Sequence, residues 1–378
     1  MARAESMEVI DRALAPWWSP IREMLGEHVL YDAHTHLGQN DPDNFKQTPA
    51  ELLAGIAPVG ARAVTFAMHE PDGYPPANDA VLEAVAGAPD RLVAFVRVDP
   101  RADAVAEAVR CLDLGARGIK LHPRAEDFGL GEPAVEELFA LAHDRRIPIL
   151  IHAGRGIPAL GENAVTLAGR YPDARIILAH AAVSDLAWIW ELMPDHPNLL
   201  VDTSWWSPGD MMAMFALIPS GQILWASDSP YGRPINSAVA HLRFALQNGV
   251  GIDALRSIAG GQLERVLSGA ELEHHGRPPG ETEPLNLHLE RVVSHLVAAV
   301  GYLVAGDQPA EMVSLARLAC DVGGDDPARP LLDHILALLA RWEEISERED
   351  GEVRFPPSAT LLTAALSIAR TPAGPLPL

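Results

Sequence analysis

Residues 28–38 read HVLYDAHTHLG, an apolar run that ends in two histidines one residue apart, His34 and His36. Valine, leucine and tyrosine in so short a run are typical of a β-strand. Side chains two residues apart on a strand project from the same face, so both imidazoles can bind one metal ion. An isolated pair of this kind is equally often two unrelated histidines, and the rest of the chain has to decide.

Seven similar runs follow, separated mostly by segments of helical composition. The eight runs are His28–His34, Arg62–Met68, Leu92–Val98, Arg117–Leu121, Pro148–His152, Arg175–His180, Leu199–Thr203 and Gln222–Ser227. Their ends lie 23 to 34 residues apart, about the length of a strand followed by a crossover helix. The runs are continuously apolar, as parallel strands covered on both faces are. We therefore predict an α/β fold, a (β/α)8 TIM barrel with an N-terminal helix, over residues 1–270.

The character of the sequence changes after the barrel. Residues 271–284 are rich in Gly, Pro and Glu and are predicted to be a linker. Four amphipathic stretches then predict a small all-helical domain over residues 285–378: Leu287–Val304, Pro309–Cys320, Pro330–Glu347 and Ser358–Ala369. These helices must bury their apolar stripes, against the barrel or in a homo-oligomer interface. The last residues, Thr371 to Leu378, are predicted to be a loose tail.

Composition limits the class of protein. The chain has 378 residues, 29 basic and 51 acidic side chains, a net charge of −22 and 48% hydrophobic residues. Such a chain is globular, and its negative field repels nucleic acid. No apolar run approaches the ~20 residues of a membrane span, so we expect no membrane association. The two cysteines, Cys111 and Cys320, are far apart in helical segments and predict reduced thiols in a cytoplasmic protein.

Metal-binding and ionisable side chains recur at the carboxyl ends of five predicted strands. His34 and His36 close the first strand, Lys120 and His122 the fourth, His152 the fifth and His180 the sixth, while Asp228 follows the eighth. In a barrel of parallel strands this is the end at which active sites form. Neither helix packing nor a random distribution of surface histidines places these residue types at one end of five strands.

In these motifs the sequence resembles the amidohydrolase-related branch of the amidohydrolase superfamily. The resemblance covers roughly residues 28–265. It rests on five motifs in order, DAHTHLG at 32–38, GIKLHP at 118–123, IHAG at 151–154, LAH at 178–180 and SDSP at 227–230. Each motif alone is weak, but their order and spacing together are specific.

The resemblance implies a divalent metal, most simply Zn²⁺, as one or two ions. His34, His36, His152 and Asp228 would bind the first ion, and His180 would be a catalytic base or a ligand of a second ion. In the two-metal form Lys120 would be carbamylated and would bridge the ions. Its alternative is an unmodified cation that pairs with a substrate carboxylate.

We therefore predict a metal-dependent hydrolase that acts on an amide, ester or lactone of a small molecule. Zinc lowers the pKa of a water that it holds to about 7, and Asp228 would accept the proton. Asp228 is otherwise a turn cap in SDSP. The main alternative within the family is a metal-dependent decarboxylase of an aromatic or dienoic acid. A barrel without catalytic activity is the third reading, which the intact ligand positions oppose.

Several side chains after the strands are candidates for substrate binding. Arg155 follows His152 and can bind a carboxylate or phosphate with two hydrogen bonds. Arg97, Arg124 and Arg233 also follow strand ends. Trp205, with Trp206, can contact an apolar or aromatic substrate, and His122 lies in the same pocket. For each arginine a solvated loop position is the competing explanation, and for the tryptophans packing against a neighbouring loop.

Overall fold

The structure is a computed structural model that describes residues 3–349 and 356–377. Every strand pair in it is parallel. The strands are β1 Tyr31–Leu37, β2 Arg62–Ala67, β3 Leu92–Ala94, β4 Val96–Arg97, β5 Ile119–Leu121, β6 Pro148–Ile151, β7 Arg175–Leu178, β8 Leu199–Asp202 and β9 Ile223–Leu224. β2 to β9 lie inside the predicted runs, and β1 overlaps the first run but starts and ends three residues later.

Eight strand positions make up the barrel, because β3 and β4 are two halves of one strand. Phe95 separates them and still donates its backbone N–H to Thr65 of β2. β3 pairs with β2, and β4 pairs with β5. At the other edge, Ala33 donates to Trp225 O and His36 donates to Ser229 O, so the segment at and after β9 is hydrogen-bonded to β1. The predicted α/β barrel is confirmed.

The helices surround the strands and continue beyond them. They are α1 Arg3–Leu25, α2 Pro49–Ile56, α3 Pro75–Gly87, α4 Ala104–Asp113, α5 Pro133–Arg145, α6 Leu160–Arg170, α7 Leu186–Ile189, α8 Pro208–Leu217, α9 Pro234–Gln247, α10 Ile252–Arg256, α11 Gln262–Ser268, α12 Leu287–Ala305, α13 Ala310–Ala319, α14 Arg329–Ser346 and α15 Ala359–Arg370. A π-helical turn, Ser257–Gly261, joins α10 to α11.

A β-bulge in β1 directs the two histidines into the barrel. Asp32 and Thr35 are three residues apart, whereas their partners on β2 are two residues apart. The extra residue reverses the alternation of side chains along the strand. His34 and His36 therefore face the barrel interior, as Tyr31 does. In a strand without the bulge, the two histidines would lie on the face opposite to Tyr31. The bulge therefore places both histidines of this strand on the side that faces the barrel interior.

The barrel interior below the histidines is filled by alternate residues of the strands. Tyr31, Ala33, Val64, Phe66, Phe95, Leu150, Ile177, Ala179, Leu200, Leu224 and Ala226 form one buried cluster, closed by Leu263 and Val266 of α11. Phe66 is the upper member, since its ring lies 4.6 Å from the ring of His36. The interior is thus a packed core with a polar layer on top.

Four helices, α12 to α15, follow a segment without helix or strand at residues 271–284. They pack on one another, and α15 also packs on α9 of the barrel. α12 is the one helix in the described ranges that is long and apolar enough to span a membrane. It packs against α13 and α15, and 33% of its apolar window is buried.

The residues after α15 are held by the barrel. Arg243 of α9 is fully buried and donates to the backbone and hydroxyl oxygens of Thr371 and to Pro375 O. Its guanidinium also lies 5.3 Å from the ring of Trp17 in α1. The predicted loose tail is therefore wrong for residues 371–377, because a buried cation takes its acceptors from that segment; Leu378 is outside the described residues.

Candidate active site

Three ligand atoms meet at the carboxyl end of the barrel. Nε2 of His34 lies 3.1 Å from Nε2 of His36, and Oδ1 of Asp228 lies 3.2 and 3.0 Å from these two nitrogens. The two imidazoles are buried, while the carboxylate is 18% exposed. The backbone fixes the carboxylate next to the histidines, since Asp228 N donates to His34 O. Three atoms that can act as metal ligands thus surround one point.

The spacing of these atoms fits a shared metal ion. Zinc bonds to imidazole nitrogen are 2.0–2.1 Å long, so two ligand atoms of a tetrahedral site lie about 3.3 Å apart. Nδ1 of His34 donates to Asp202, which leaves the Nε2 lone pair directed at the centre. Two imidazoles and a carboxylate are donors that zinc and similar divalent ions accept. Three of the four residues predicted for the first ion, His34, His36 and Asp228, therefore fit a shared divalent metal.

Lys120 extends this group from β5. Its Nζ lies 3.4 Å from Nε2 of His34 and 4.7 Å from the centre of the Phe66 ring. Burial, with a further contribution from the Arg97 guanidinium, lowers the pKa of Lys120 to about 7. A substantial fraction of the amine is then neutral at physiological pH and able to react as a nucleophile.

His152 and His180 form a second histidine pair beside the first. Nε2 of His180 lies 3.0 Å from Nδ1 of His152. The ring of His122 stacks on the ring of His152 at 3.8 Å, and the rings of His180 and His34 are 5.2 Å apart. His152 is thus not among the three atoms around Asp228; it faces His180, although the resemblance assigned it to the first ion.

Burial sets the protonation of this layer. It lowers the pKa of His34 to about 3, with Lys120 adding to the effect. Burial also lowers the pKa values of His36, His152 and His180. It raises the pKa of the Asp228 carboxyl above its ordinary value. Neutral imidazoles are the form that binds a metal, and a less acidic carboxylate is a better proton acceptor.

The sequence reasoning missed Asp202, the last residue of β8. This fully buried carboxylate accepts hydrogen bonds from the ring of His34 at 2.8 Å and from the backbone N–H of His180 at 2.9 Å. Burial raises its pKa, but the contacts with His34 and Ser204 outweigh that effect and keep the pKa below its ordinary value. The signal was present in the sequence, because Asp202 lies at the same strand end as the predicted ligands.

Of the three predicted substrate contacts, two lie against the histidines. The ring of Trp205 is 6.2 Å from that of His180, and its Nε1 donates to Asp210. His122 accepts a hydrogen bond from Ala125 N in addition to its stacking contact. Arg155 is exposed. The structure thus brings Trp205 and His122 to the site and leaves the position of Arg155 as that of a solvated loop residue.

The other arginines after strand ends divide into buried and surface positions. Arg97 is buried and donates to Glu126 at 2.7 Å and to Ala67 O. Arg233 pairs with Asp11 of α1, and Arg124 is exposed. Arg97 is the one of these three that contributes charge to the site, since its guanidinium lowers the pKa of Lys120.

Tyr231 covers one side of the site and was also not foreseen. Its ring packs edge-on against His36 at 5.2 Å and lies tilted against Phe45 at 4.7 Å. Its hydroxyl donates to Asp41 in the segment after β1. The same segment is fixed to the strand end by Gln47, which donates to His36 O.

Comparison with known proteins identifies the barrel. A family model described as amidohydrolase matches residues 31–261, more than half of the chain. The chain belongs to the amidohydrolase family. Members of this family generally use a divalent metal ion and act on small molecules, which agrees with the group of His34, His36 and Asp228. A search of curated proteins found no match.

Solved structures support the amidohydrolase fold. A TIM-barrel protein from Bordetella bronchiseptica aligns at 18% identity over 64% of this chain and 99% of its own, with a TM-score of 0.51. The 5-carboxyvanillate decarboxylase from Sphingomonas paucimobilis aligns at 17% identity over 64% and 99%, with a TM-score of 0.50. At such identities the likeness concerns the fold.

Proposed function

We propose that this amidohydrolase is a metal-dependent hydrolase of a small molecule that contains an amide, ester or lactone. The observation that carries the proposal is the meeting of His34 Nε2, His36 Nε2 and Asp228 Oδ1 within 3.2 Å of one another. A divalent ion bound there, most simply Zn²⁺, polarises a carbonyl and lowers the pKa of water.

Different side chains would carry out proton transfer and substrate binding. Asp228 is partly exposed and is placed to accept the proton of the attacking water and to pass it to the leaving group. His180 donates its Nδ1–H to Ser204 O, so its Nε2 lone pair faces Nδ1 of His152 and can accept a proton or bind a second ion together with His152. Trp205 and His122 supply flat surfaces beside these groups for an unsaturated or aromatic substrate.

Isotope incorporation tests the reaction class. The metal-loaded protein is incubated in ¹⁸O-water with a panel of esters, lactones, amides and aromatic carboxylic acids. A hydrolase transfers ¹⁸O into the product of one substrate class. Release of CO₂ without the label would contradict hydrolysis and would leave the metal site intact.

A metal-dependent decarboxylase is the second candidate function. The observation that favours it is the buried amine of Lys120, whose Nζ lies 3.4 Å from Nε2 of His34. In its protonated, uncarbamylated form this side chain beside a metal site suits a substrate that keeps a carboxylate. A solved neighbour is a 5-carboxyvanillate decarboxylase, which agrees with this candidate in fold only. The CO₂ outcome of the isotope experiment would support it.

We further propose that Lys120 is carbamylated. Its carbamate would bridge the first ion and a second ion held by His152 and His180. The proposal is supported by the pKa of about 7, which leaves a neutral amine to add CO₂, and by the 3.0 Å spacing of the second histidine pair. Lys120→Ala should lose one of two metal equivalents and regain it with bicarbonate and a short carboxylic acid. One equivalent in the wild type, with an unmodified amine by mass spectrometry, would contradict the two-metal form.

The C-terminal helices are proposed to form a homo-oligomer interface. Leu287 and Tyr302 of α12 and Leu318 of α13 are 81%, 44% and 67% exposed. Sedimentation of the wild type and of a Tyr302→Glu, Leu318→Glu variant should give an oligomer and a monomer. A wild-type monomer at micromolar concentration would contradict the proposal.

We place the protein in the cytoplasm. Cys111 and Cys320 are buried, unpaired thiols, as in proteins of a reducing compartment. A fluorescent fusion confined to the periplasm or the medium would contradict this localisation.

A further inference from the structure

We propose that Asp202 is a positioning residue that fixes the tautomer of His34 and ties the two histidine pairs to one carboxylate. The inference rests on the proposed metal site and deepens it. Asp202 is the last residue of β8 and is fully buried, yet it is hydrogen-bonded directly to predicted metal ligands. Burial of a carboxylate costs free energy unless the charge is paired and hydrogen-bonded, so we expect these contacts to have a function in the site.

The hydrogen-bond partners of Asp202 are all donors. Its Oδ2 accepts from Nδ1 of His34 at 2.8 Å. Its Oδ1 accepts from the backbone N–H of His180 at 2.9 Å, from that of Ser204 at 3.0 Å, and from the Ser204 hydroxyl. The proton of His34 is thereby held on Nδ1, and the lone pair of Nε2 is left for the site. A hydrogen bond of this kind also fixes the orientation of the ring.

Oδ1 of Asp202 binds a backbone turn in an unfavourable conformation that follows β7. His180, Ala181 and Ala182 have φ values of 58°, 57° and 51°, a run of three residues in the left-handed region without a glycine. Such residues cost free energy, and the surrounding structure has to hold them. Asp202 binds the N–H of the first of them, and Ser204 O binds the ring of the same histidine at 2.8 Å. One strand end therefore positions the His34 ring and the turn that carries His180.

An amide cannot replace this carboxylate. Asparagine offers a single acceptor oxygen, whereas His34 on one side and His180 and Ser204 on the other all present N–H groups. If the oxygen stays with the backbone donors, the amide N–H₂ faces Nδ1 of His34. The imidazole then moves its proton to Nε2, and the ligand lone pair is lost. Asp202→Asn should thus change the tautomer of His34 without removing any ligand.

Two measurements test this positioning role. The first is the ¹⁵N spectrum of histidine-labelled, metal-free protein, in which His34 is assigned by its absence from a His34→Gln variant. The wild type should show His34 protonated at Nδ1, and Asp202→Asn should show it protonated at Nε2. The second is Zn²⁺ affinity by competition with a chromophoric chelator, which should fall about 10- to 100-fold in Asp202→Asn.

Ser204→Ala is the matched control. It removes a hydroxyl that donates to Asp202 and lies 3.0 and 3.4 Å from Nδ1 of His180 and His34, but it keeps the carboxylate and the backbone oxygen that binds His180. Its zinc affinity should change by no more than about fivefold, the usual worth of one hydrogen bond, and its His34 tautomer should match the wild type.

The outcomes separate the inference from the proposed function. A wild-type His34 protonated at Nε2 overturns the role of Asp202 even if the Asn variant does not fold. Unchanged zinc affinity in a folded Asp202→Asn does the same. A wild type that shows the Nδ1–H tautomer but binds no zinc refutes the metal site and supports the effect of Asp202 on His34.

Discussion

Two buried charged regions of this molecule differ in how their polar atoms are satisfied. Arg243 is fully buried, and each of its three nitrogens donates to an oxygen of the C-terminal segment. At the barrel mouth, three potential ligand atoms, His34 Nε2, His36 Nε2 and Asp228 Oδ1, lie within 3.2 Å of one another. The first arrangement is complete within the chain, whereas the second is complete only with a shared cation.

The difference separates a structural site from a functional one. A paired buried charge such as Arg243 stabilises one fold, and its loss leaves acceptors without donors. A group of lone pairs directed at one point costs stability until a ligand binds. Substitutions in the two regions should therefore have opposite effects on stability and on metal binding.

The largest effect is expected at the functional site. Asp228→Asn should lower turnover by about 10²-fold or more, because a positioned proton acceptor is lost. The free energy of unfolding of the metal-free protein should stay the same or rise, since an acceptor among lone pairs is replaced by a donor. Steady-state kinetics and urea unfolding check the two halves. Turnover within tenfold of the wild type would remove Asp228 from the reaction.

A loss of stability without loss of metal is expected at the structural site. Arg243→Met should lower the free energy of unfolding by about 3 kcal/mol or more, since three acceptor contacts with Thr371 and Pro375 lose their donor. Its metal content should equal that of the wild type. Arg341→Met is the control, because that arginine is 43% exposed in a surface pair and should cost less than about 1 kcal/mol. Equal stability of the two variants would contradict the contrast.

A smaller effect is expected from acid. His241 of α9 is buried, and burial lowers its pKa from 6.5 to about 4. Between these pH values the unfolded chain binds a proton that the native protein does not, so stability falls as the pH is lowered from 6.5 to 4. His241→Gln removes this proton, and its loss of stability over that range should be smaller by about 1–3 kcal/mol. Parallel pH profiles of the two proteins would show that His241 titrates normally.

The sequence predicts most of the barrel and the position of the site, because both depend on local patterns. Apolar runs mark the strands, and polar residues at their ends mark the mouth. The bulge in β1 is not visible in this way, since it depends on pairing with β2. Without the bulge, the two-residue spacing places His34 and His36 on the same face of the strand. It does not show whether that face lies inside or outside the barrel.

Long-range contacts account for the remaining differences. Only Ser204 among the hydrogen-bond partners of Asp202 is close in sequence; His34 is 168 residues away and His180 is 22 residues away. The C-terminal segment is rich in proline and is predicted from the sequence to be loose, yet Arg243, 128 residues from Thr371, binds it. Such pairings require the folded barrel and are not encoded in any local stretch.

The metal content of the protein tests the central claim most directly. The chain is purified without added metal or a metal-affinity step and analysed by elemental mass spectrometry, together with a His34→Ala, His36→Ala variant. The wild type should contain one or two equivalents of a divalent metal, and the variant should contain none while its circular dichroism spectrum is unchanged. Full metal content in the folded variant, or none in the wild type, would contradict the account.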